Sequence, residues 1–582
     1  MKKNNVRAMS FISRERFDSL WGIALKHPFL IAAAVCMLAT GLGYQSQYLL
    51  KYFIETMAVC FIGLCLFRCI RRILDERRSK ALAVGVFLLE VVLSILAVRL
   101  YLNHQNRAEL VYVAGTMLVA IVTILLLLSL YNEGKDYRRK IAVIALFMQG
   151  FIMRLGYVLE TSILRRQNDV HKFGEKDGHA AYIEYLLNNR SLPDFDPTTV
   201  WQFYHPPFHH SICAVWLKIL GTVGIPYDVA CESIQAVSLF CSLSIMILFY
   251  KLARHIRLSG MALYVPLLIV FFHPSQFILS GNINNDVMSI AFILGAIYTT
   301  AVWYKEPCIK NILKIAFCIG LGMMTKLSAG LVAPAVAIVF LVALIKYRKR
   351  AKSLIGQFAL FGVVCVPLGL WWGIRNYILF KTPLTYVPSL SIISYQYIGR
   401  IPFKDRLFDF SSYQFSYVFE QWTKDTYREF NPTIAFLKNS LFGEHLKALT
   451  FEGNLIKFPT VLFWVAMALA VLGFVSMLVC LFKKGGNTEK LLLTVTSLVL
   501  LFSYYKFCYE YPFICTMNFR YIVPCLYAGA VSLGFMLRYF KDAKSKPVHA
   551  VGILCRAAVG LATAVFCICS YMTYFVVISS FS

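Results

Sequence analysis

The chain has 582 residues, 59% hydrophobic and only 15% charged, with a mean hydropathy of +0.64. A soluble chain is usually about 25% charged, so a soluble globular enzyme is excluded. Apolar runs long enough to cross a ~30 Å hydrocarbon core as a helix recur along its length. The formal charge of +28 does not mark a nucleic-acid binder, because the basic residues cluster between alternate apolar runs. They sit at Arg68, Arg71, Arg72, Arg77, Arg78 and Lys80, at Lys135, Arg138, Arg139 and Lys140, and at Lys346, Arg348, Lys349, Arg350 and Lys352. That alternation is the cytoplasmic bias of short loops, reinforced by attraction to anionic headgroups.

In chain order, residues 1–26 are basic and lack the short apolar stretch and cleavage site of a signal peptide. Spans are expected near 29–47, 52–69, 81–101, 109–131 and 140–160. The first four fall in a unit, residues 1–135, that reads as an accessory bundle preceding a core of residues 136–582. With the N-terminus inside, the fifth span delivers a polar stretch, 161–207, to the outer face. Residues 208–222 are apolar but short and are followed by Gly224 and Pro226, which suits an interfacial helix. Further spans are expected near 229–251, 261–278, 285–303, 312–326, 328–346 and 354–374. A second long outer region, 377–457, carries Tyr386, Tyr395, Tyr413, Tyr417, Trp422 and Tyr427. The last spans fall near 458–482, 489–508, 518–538 and 550–577. The expectation is an all-α polytopic membrane protein of about fifteen helices with its C-terminus outside. Most cysteines lie in apolar runs as small hydrophobes; Cys508 and Cys515 flank an outer loop at a spacing that permits a bridge.

Chemistry concentrates at the outer ends of these spans. Between Arg165 and His210 lie Asp169, Glu175 and Asp177 together with His171, His179, His205, His209 and His210. A carboxylate just outside a span can deprotonate an acceptor hydroxyl, and neighbouring Arg and His can hold a phosphate through charge-assisted bonds. The bland alternative is a solvated acidic loop. The run Tyr204 to His210 holds paired prolines, which suit a helix start whose free N–H groups favour anions. His179, His209 and His210 have no recognised zinc-ligand spacing. Asp286 follows Asn282, Asn284 and Asn285 at a span start, where helix capping competes with a functional reading. Lys326, Arg375 and Arg520, the last beside Tyr521, all emerge on that outer face; snorkelling competes with a phosphate cradle.

Seven short motifs in order resemble the family 39-like group of GT-C glycosyltransferases, which includes protein O-mannosyltransferases and bacterial lipid A aminoarabinose transferases. They are Asn168-Asp169-Val170 with Gly178 to Ile183, Tyr204 to Pro207, Asn284 to Val287, Met324 to Gly330, Trp372 to Asn376, and Phe519 to Pro524. The resemblance covers roughly residues 140–530 and implies a GT-C-like helical bundle with a large first outer loop and juxtamembrane helices. It implies an inverting transferase moving a hexose or pentose from a polyprenyl-phosphate carrier to a protein, lipid or glycan acceptor. It places the base on Asp169, or on Asp177 in an alternative alignment, with His179 beside it and a second acid at Asp286. Donor phosphate contacts fall to His205, His209, Lys326, Arg375, Arg520 and Tyr521. His205 stands where the lipid A enzymes carry a lysine. A divalent cation, Mg or Mn, is compatible with Asp169 and Asp286. The alternatives are a transporter or flippase of lipid-linked sugars and an inactive receptor that keeps the sugar site. The basic, unsignalled N-terminus points to a bacterial plasma membrane, with the active site on the extracytoplasmic side.

Overall fold

The computed structural model describes residues 21–45, 136–410, 418–420, 429–447, 451, 453–483 and 485–576. Within them the secondary structure is helical: α1 Pro28–Gln45, α2 Asp136–Glu160, α3 Gly178–Asn189, α4 Phe208–Thr222, α5 Tyr227–Glu232, α6 Gln235–His255, α7 Met261–Phe272, α8 Pro274–Gly281 and α9 Asp286–Lys305. It continues with α10 Ile309–Thr325, α11 Ala333–Lys346, α12 Ala351–Phe380, α13 Phe403–Phe408, α14 Pro432–Phe442, α15 Lys457–Leu481, α16 Asn487–Glu510, α17 Pro524–Lys541 and α18 Lys546–Tyr571. Eight helical segments are long and apolar enough to span a membrane, or ten when two bent pairs each count as one span. The chain is a multi-pass α-helical membrane protein.

Those ten correspond to ten of the fifteen expected spans. Of the other five, 52–69, 81–101 and 109–131 lie outside the described residues. Of the 29–47 span, residues 29–45 are helical as α1, and among the residues whose side chains are described Pro28–Met37 forms an apolar stretch shorter than a span. The 312–326 span is α10, a helix of 17 residues. The expected accessory bundle is therefore described only at α1. Expected helix 208–222 is α4, which leaves Val215 and Ile219 exposed. In the 377–457 region Tyr413, Tyr417, Trp422 and Tyr427 lie outside the described residues. Cys508 and Cys515 are both free thiols rather than a bridge.

The two bent pairs position the site. α7 and α8 meet at 43° and the segment Ile514–Tyr521 meets α17 at 49°. Each second helix starts on a proline, Pro274 and Pro524, whose missing N–H ends the preceding ladder. Carbonyls freed at membrane depth must find protein partners. At the first break Arg154, a fully buried arginine inside the α2 span, donates from Nη1 to Phe271 O at 3.0 Å and to Gly150 O at 2.9 Å. Its Nε donates to Ser242 Oγ at 2.8 Å, and Ser570 Oγ donates to Phe272 O at 2.6 Å. A guanidinium at the C-terminus of α7 also meets the negative end of that helix's dipole. At the second break, Asn439 Oδ1 accepts from Phe519 N and Asn518 Oδ1 accepts from Arg520 N. One break leads through α8 into Asn282–Asp286; the other carries Arg520 and Tyr521.

Candidate functional site

The loop after α2 is fastened to the loop after α8. Gln167 bridges it twice: its Nε2 donates to Gly281 O at 2.9 Å, and its Oε1 accepts from Ile283 N at 3.0 Å. Asn168 N donates to Asn282 Oδ1 at 3.3 Å, and Asn284 Nδ2 donates to Asn168 O at 3.4 Å. The next residue, Asp169, has a left-handed backbone at φ 60°, a conformation aspartate tolerates better than most residues. From the other side, His179 N donates to Asp169 O at 3.2 Å and Ala180 N to Val170 O at 3.0 Å. That approach requires Gly178, which has φ +90° and no room for a Cβ, since one would lie 2.5 Å from Val170 O.

Held this way, Asp169 meets residues from far along the chain. Its Oδ2 accepts from Arg520 Nη2 at 2.8 Å. Arg520 Nη1 lies 3.6 Å from Asp286 Oδ2. Asp286 Oδ1 accepts a short bond from Lys326 Nζ. Tyr521 accepts from Arg520 at 3.2 Å through its hydroxyl and lies under Lys326, 5.1 Å from ring centroid to Nζ. α9 and α10 form an antiparallel hairpin, so Asp286 at the start of one and Lys326 just past the end of the other share one end. Asn284 Oδ1 accepts from Asp286 N and so does the capping, which leaves the Asp286 carboxylate to the cations. The exposures divide the two acids: the Asp169 side chain is 33% exposed and the Asp286 side chain 3%.

A third carboxyl went unread in the sequence. Gly443, at φ 58° and ψ −161°, turns the chain out of α14 in a conformation open essentially to glycine alone. Glu444 then accepts a short bond from Asn518 Nδ2, and His445 Nε2 lies 3.2 Å from Asn168 Oδ1. Burial raises the Glu444 carboxyl above its ordinary range, Arg520 opposing and the Asp169 charge adding to the rise. Its side chain still keeps an opening to solvent; the rise reflects how much protein surrounds the carboxyl, which outweighs that opening. Nothing in its local sequence marks this residue, because its partners are 74 or more residues away.

The histidines form a separate, neutral layer against the cations. His179 Nδ1 lies 2.8 Å from His210 Nε2, and the two rings stack at 5.1 Å. His205 stacks on His179 at 5.4 Å and lies tilted against Tyr204 at 4.3 Å, and His210 packs on Tyr182 at 4.4 Å. Burial, then mutual repulsion and the nearby Lys326 and Arg520, hold His179 and His205 well below the ordinary imidazole value. Burial and the neighbouring histidines do the same to His210. Burial brings His209 down to about 4, with Asp286 opposing. His205, His179 and His210 lie ring against ring and His209 sits edge-on to His210, an arrangement that suits packing and not zinc. Neither the enclosed His209 nor the half-buried His205, both held neutral, has a charge to offer a phosphate, and the ring contacts of His179 are to histidines rather than to Asp169.

Two expected site residues lie elsewhere. Asp177 turns outward and pairs with His171 at 2.6 Å, both about half-exposed. Arg375 is engaged by Pro193 O at 2.6 Å, Asn376 Oδ1 at 3.0 Å and the Trp372 ring. Trp372 Nε1 donates to Tyr204 O at 3.1 Å, so Arg375 supports the loop that carries the histidine layer instead of joining the cradle. Asp169 and Asp286 do not fit a divalent ion as arranged. Arg520 stands between their carboxylates and Lys326 occupies the remaining oxygen of Asp286, so both charges are already answered.

The family model for dolichyl-phosphate-mannose-protein mannosyltransferases matches residues 204–372, which supports the resemblance to GT-C glycosyltransferases. No curated protein matches the chain significantly. Among solved structures, apo ArnT from Cupriavidus metallidurans is 12% identical, with 75% of this chain and 76% of that chain covered at a TM-score of 0.44. The same protein bound to undecaprenyl phosphate is 11% identical over the same shares at 0.43. The oligosaccharyltransferase AglB from Archaeoglobus fulgidus, in complex with an inhibitory peptide and a dolichol-phosphate, is 11% identical. It covers 75% of this chain and 56% of that chain at 0.42.

Proposed function

We propose that this protein is an inverting glycosyltransferase that moves a sugar from a polyprenyl-phosphate carrier to an acceptor hydroxyl at the extracytoplasmic face of the membrane. One observation carries the reading: two cations and two acids from four distant segments meet at one end of the membrane helices, and two of them, Asp286 and Lys326, lie within the segment that matches the mannosyltransferase family model.

The chemistry follows from that arrangement. Lys326 and Arg520 supply the charge that a departing phosphate needs, in a recess where water competes weakly. Asp286, nearly enclosed, fixes both cations in place. Asp169 is the accessible acid, and it takes the proton of the acceptor hydroxyl. The acceptor oxygen attacks the anomeric carbon from the face opposite the phosphate. As the new C–O bond forms, the old one breaks and its electron pair leaves on the phosphate, inverting the centre. No step needs a general acid, because a phosphate is a good leaving group.

The two bent spans favour a second reading, a transporter of lipid-linked sugars, since discontinuous helices are common in transporters. Purified protein in vesicles, supplied with polyprenyl-phosphate sugars and a mixture of envelope acceptors, separates the two. The transferase reading expects carrier phosphate to be released and Asp169→Asn to stop that release while the carrier still binds. Movement of intact donor across the bilayer without release would favour transport and sink the transferase.

A further inference from the structure

A cavity of about 440 Å³ lies behind the site, among α7, α14, α15, α16, α17 and α18. Its position follows from the two segments that build the site. Phe519 and Ile522 line it and bracket Arg520 and Tyr521, so one short segment offers cations to the site on one side and apolar groups to the cavity on the other. Phe436 and Leu437 of α14 line it too, and α14 ends at the Gly443 turn that carries Glu444. No Asp, Glu, Lys or Arg lines it, and its polar groups, His273, Thr433, Ser440, Ser497 and Tyr505, are each hydrogen-bonded within the protein, so no charge there would hold a headgroup. None of Asp169, Asp286, Lys326, Arg520 or Tyr521 lines it either, which separates it from the carrier phosphate.

The mouth decides the occupant. Val471 and Phe474 of α15 line the cavity and are at the same time 59% and 43% exposed. α15 is one of the membrane spans, so its exposed apolar side faces lipid. The cavity is thus continuous with the hydrocarbon around the protein. We propose that it is a binding site for an acyl chain of a bilayer lipid, which enters between Val471 and Phe474 and supports α14 and the Phe519–Ile522 segment from behind. The chain is neither carrier nor acceptor. Its effect on the site runs through the bonds joining the two supported segments, Asn439 to Phe519 and Glu444 to Asn518. The proposal goes beyond the transferase reading and stands or falls separately from it.

Gly529 provides the test. It lines the cavity, and a Cβ added there meets nothing within 4 Å, so a side chain can start there without a clash and Gly529→Phe is aimed at filling the space. The full-length protein is reconstituted in vesicles containing a phospholipid with a mid-chain diazirine, irradiated, digested and read by mass spectrometry. In a parallel arm the diazirine sits on a polyprenyl phosphate. The expected result is phospholipid adducts on α14 and α17 cavity residues that fall about tenfold in Gly529→Phe. Adducts on Trp464, which is 43% exposed on α15, should persist in the variant and show that it is folded. Cavity adducts from the polyprenyl arm alone would overturn the assignment, and so would phospholipid adducts that Gly529→Phe leaves unchanged.

Discussion

Asp169 and Asp177 lie eight residues apart in one loop, and their surroundings are opposite. Asp169 is pinned from both sides, by the Gln167 and Asn168 bonds to residues 281–284 and by the start of α3, and it meets an arginine 351 residues away. Asp177 stands at the N-cap position of α3 and pairs only locally, with His171. The lesson is that acid content does not make a site; convergence does. A surface ion pair such as that of Asp177 contributes about 0–1 kcal/mol, whereas a carboxylate among enclosed cations sets how they are placed.

The largest effects should come from the converged side. Asp169→Asn and Asp286→Asn should each lower kcat by roughly 10²–10⁴-fold, measured as carrier phosphate released; wild-type turnover in both would remove the site. Next is Arg154→Met. It leaves the Phe271 carbonyl without a partner in the membrane, at a cost of about 1–3 kcal/mol, read as a lower Tm in detergent. Because α8 leads from that break to Asp286, turnover should fall as well. Gly178→Ala forces a Cβ to 2.5 Å from Val170 O and 2.8 Å from His171 Cβ on a positive-φ backbone, for about 1–3 kcal/mol, so it should disturb the backbone beside Asp169 and the His171–Asp177 pair together, read as a lower Tm with lower turnover.

A smaller effect is expected from pH. The histidine layer is neutral when folded, and an unfolded histidine titrates near ~6.5. Between that value and the value of about 4 for His209, the unfolded chain binds more protons. The stability from these residues is therefore complete above ~6.5 and is lost as pH falls toward about 4. A Tm that stays flat over this window would contradict a buried neutral layer. Smallest of all, Asp177→Asn should change turnover by less than about twofold; a large loss would restore Asp177 as the base.

Much of this was legible in the sequence. Apolar runs gave ten spans because span length depends on the thickness of the bilayer alone. Asp169, Asp286, Lys326, Arg520 and Tyr521 stood out as polar groups at span ends, where they are costly without partners. Asp177 and Arg375 shared that signature, and only the tertiary contacts separate them. Gln167, Glu444 and His445 were missed because each acts through a partner remote in sequence. Arg154 offered a readable signal, a lone arginine inside an apolar run, whose partners are backbone carbonyls that no side-chain pattern shows. The histidines drew attention as polar residues, yet enclosure and mutual stacking make them a neutral packing layer.

The central claim is that Lys326 and Arg520 hold the carrier phosphate. Equilibrium binding of a polyprenyl phosphate to the reconstituted wild type, Lys326→Gln and Arg520→Gln tests it directly, with Arg375→Gln as the comparison. The account predicts that each of the first two substitutions weakens binding by roughly tenfold to a hundredfold, about 1.4–2.8 kcal/mol, and that Arg375→Gln has a much smaller effect. Unchanged affinity in both Lys326→Gln and Arg520→Gln would contradict it.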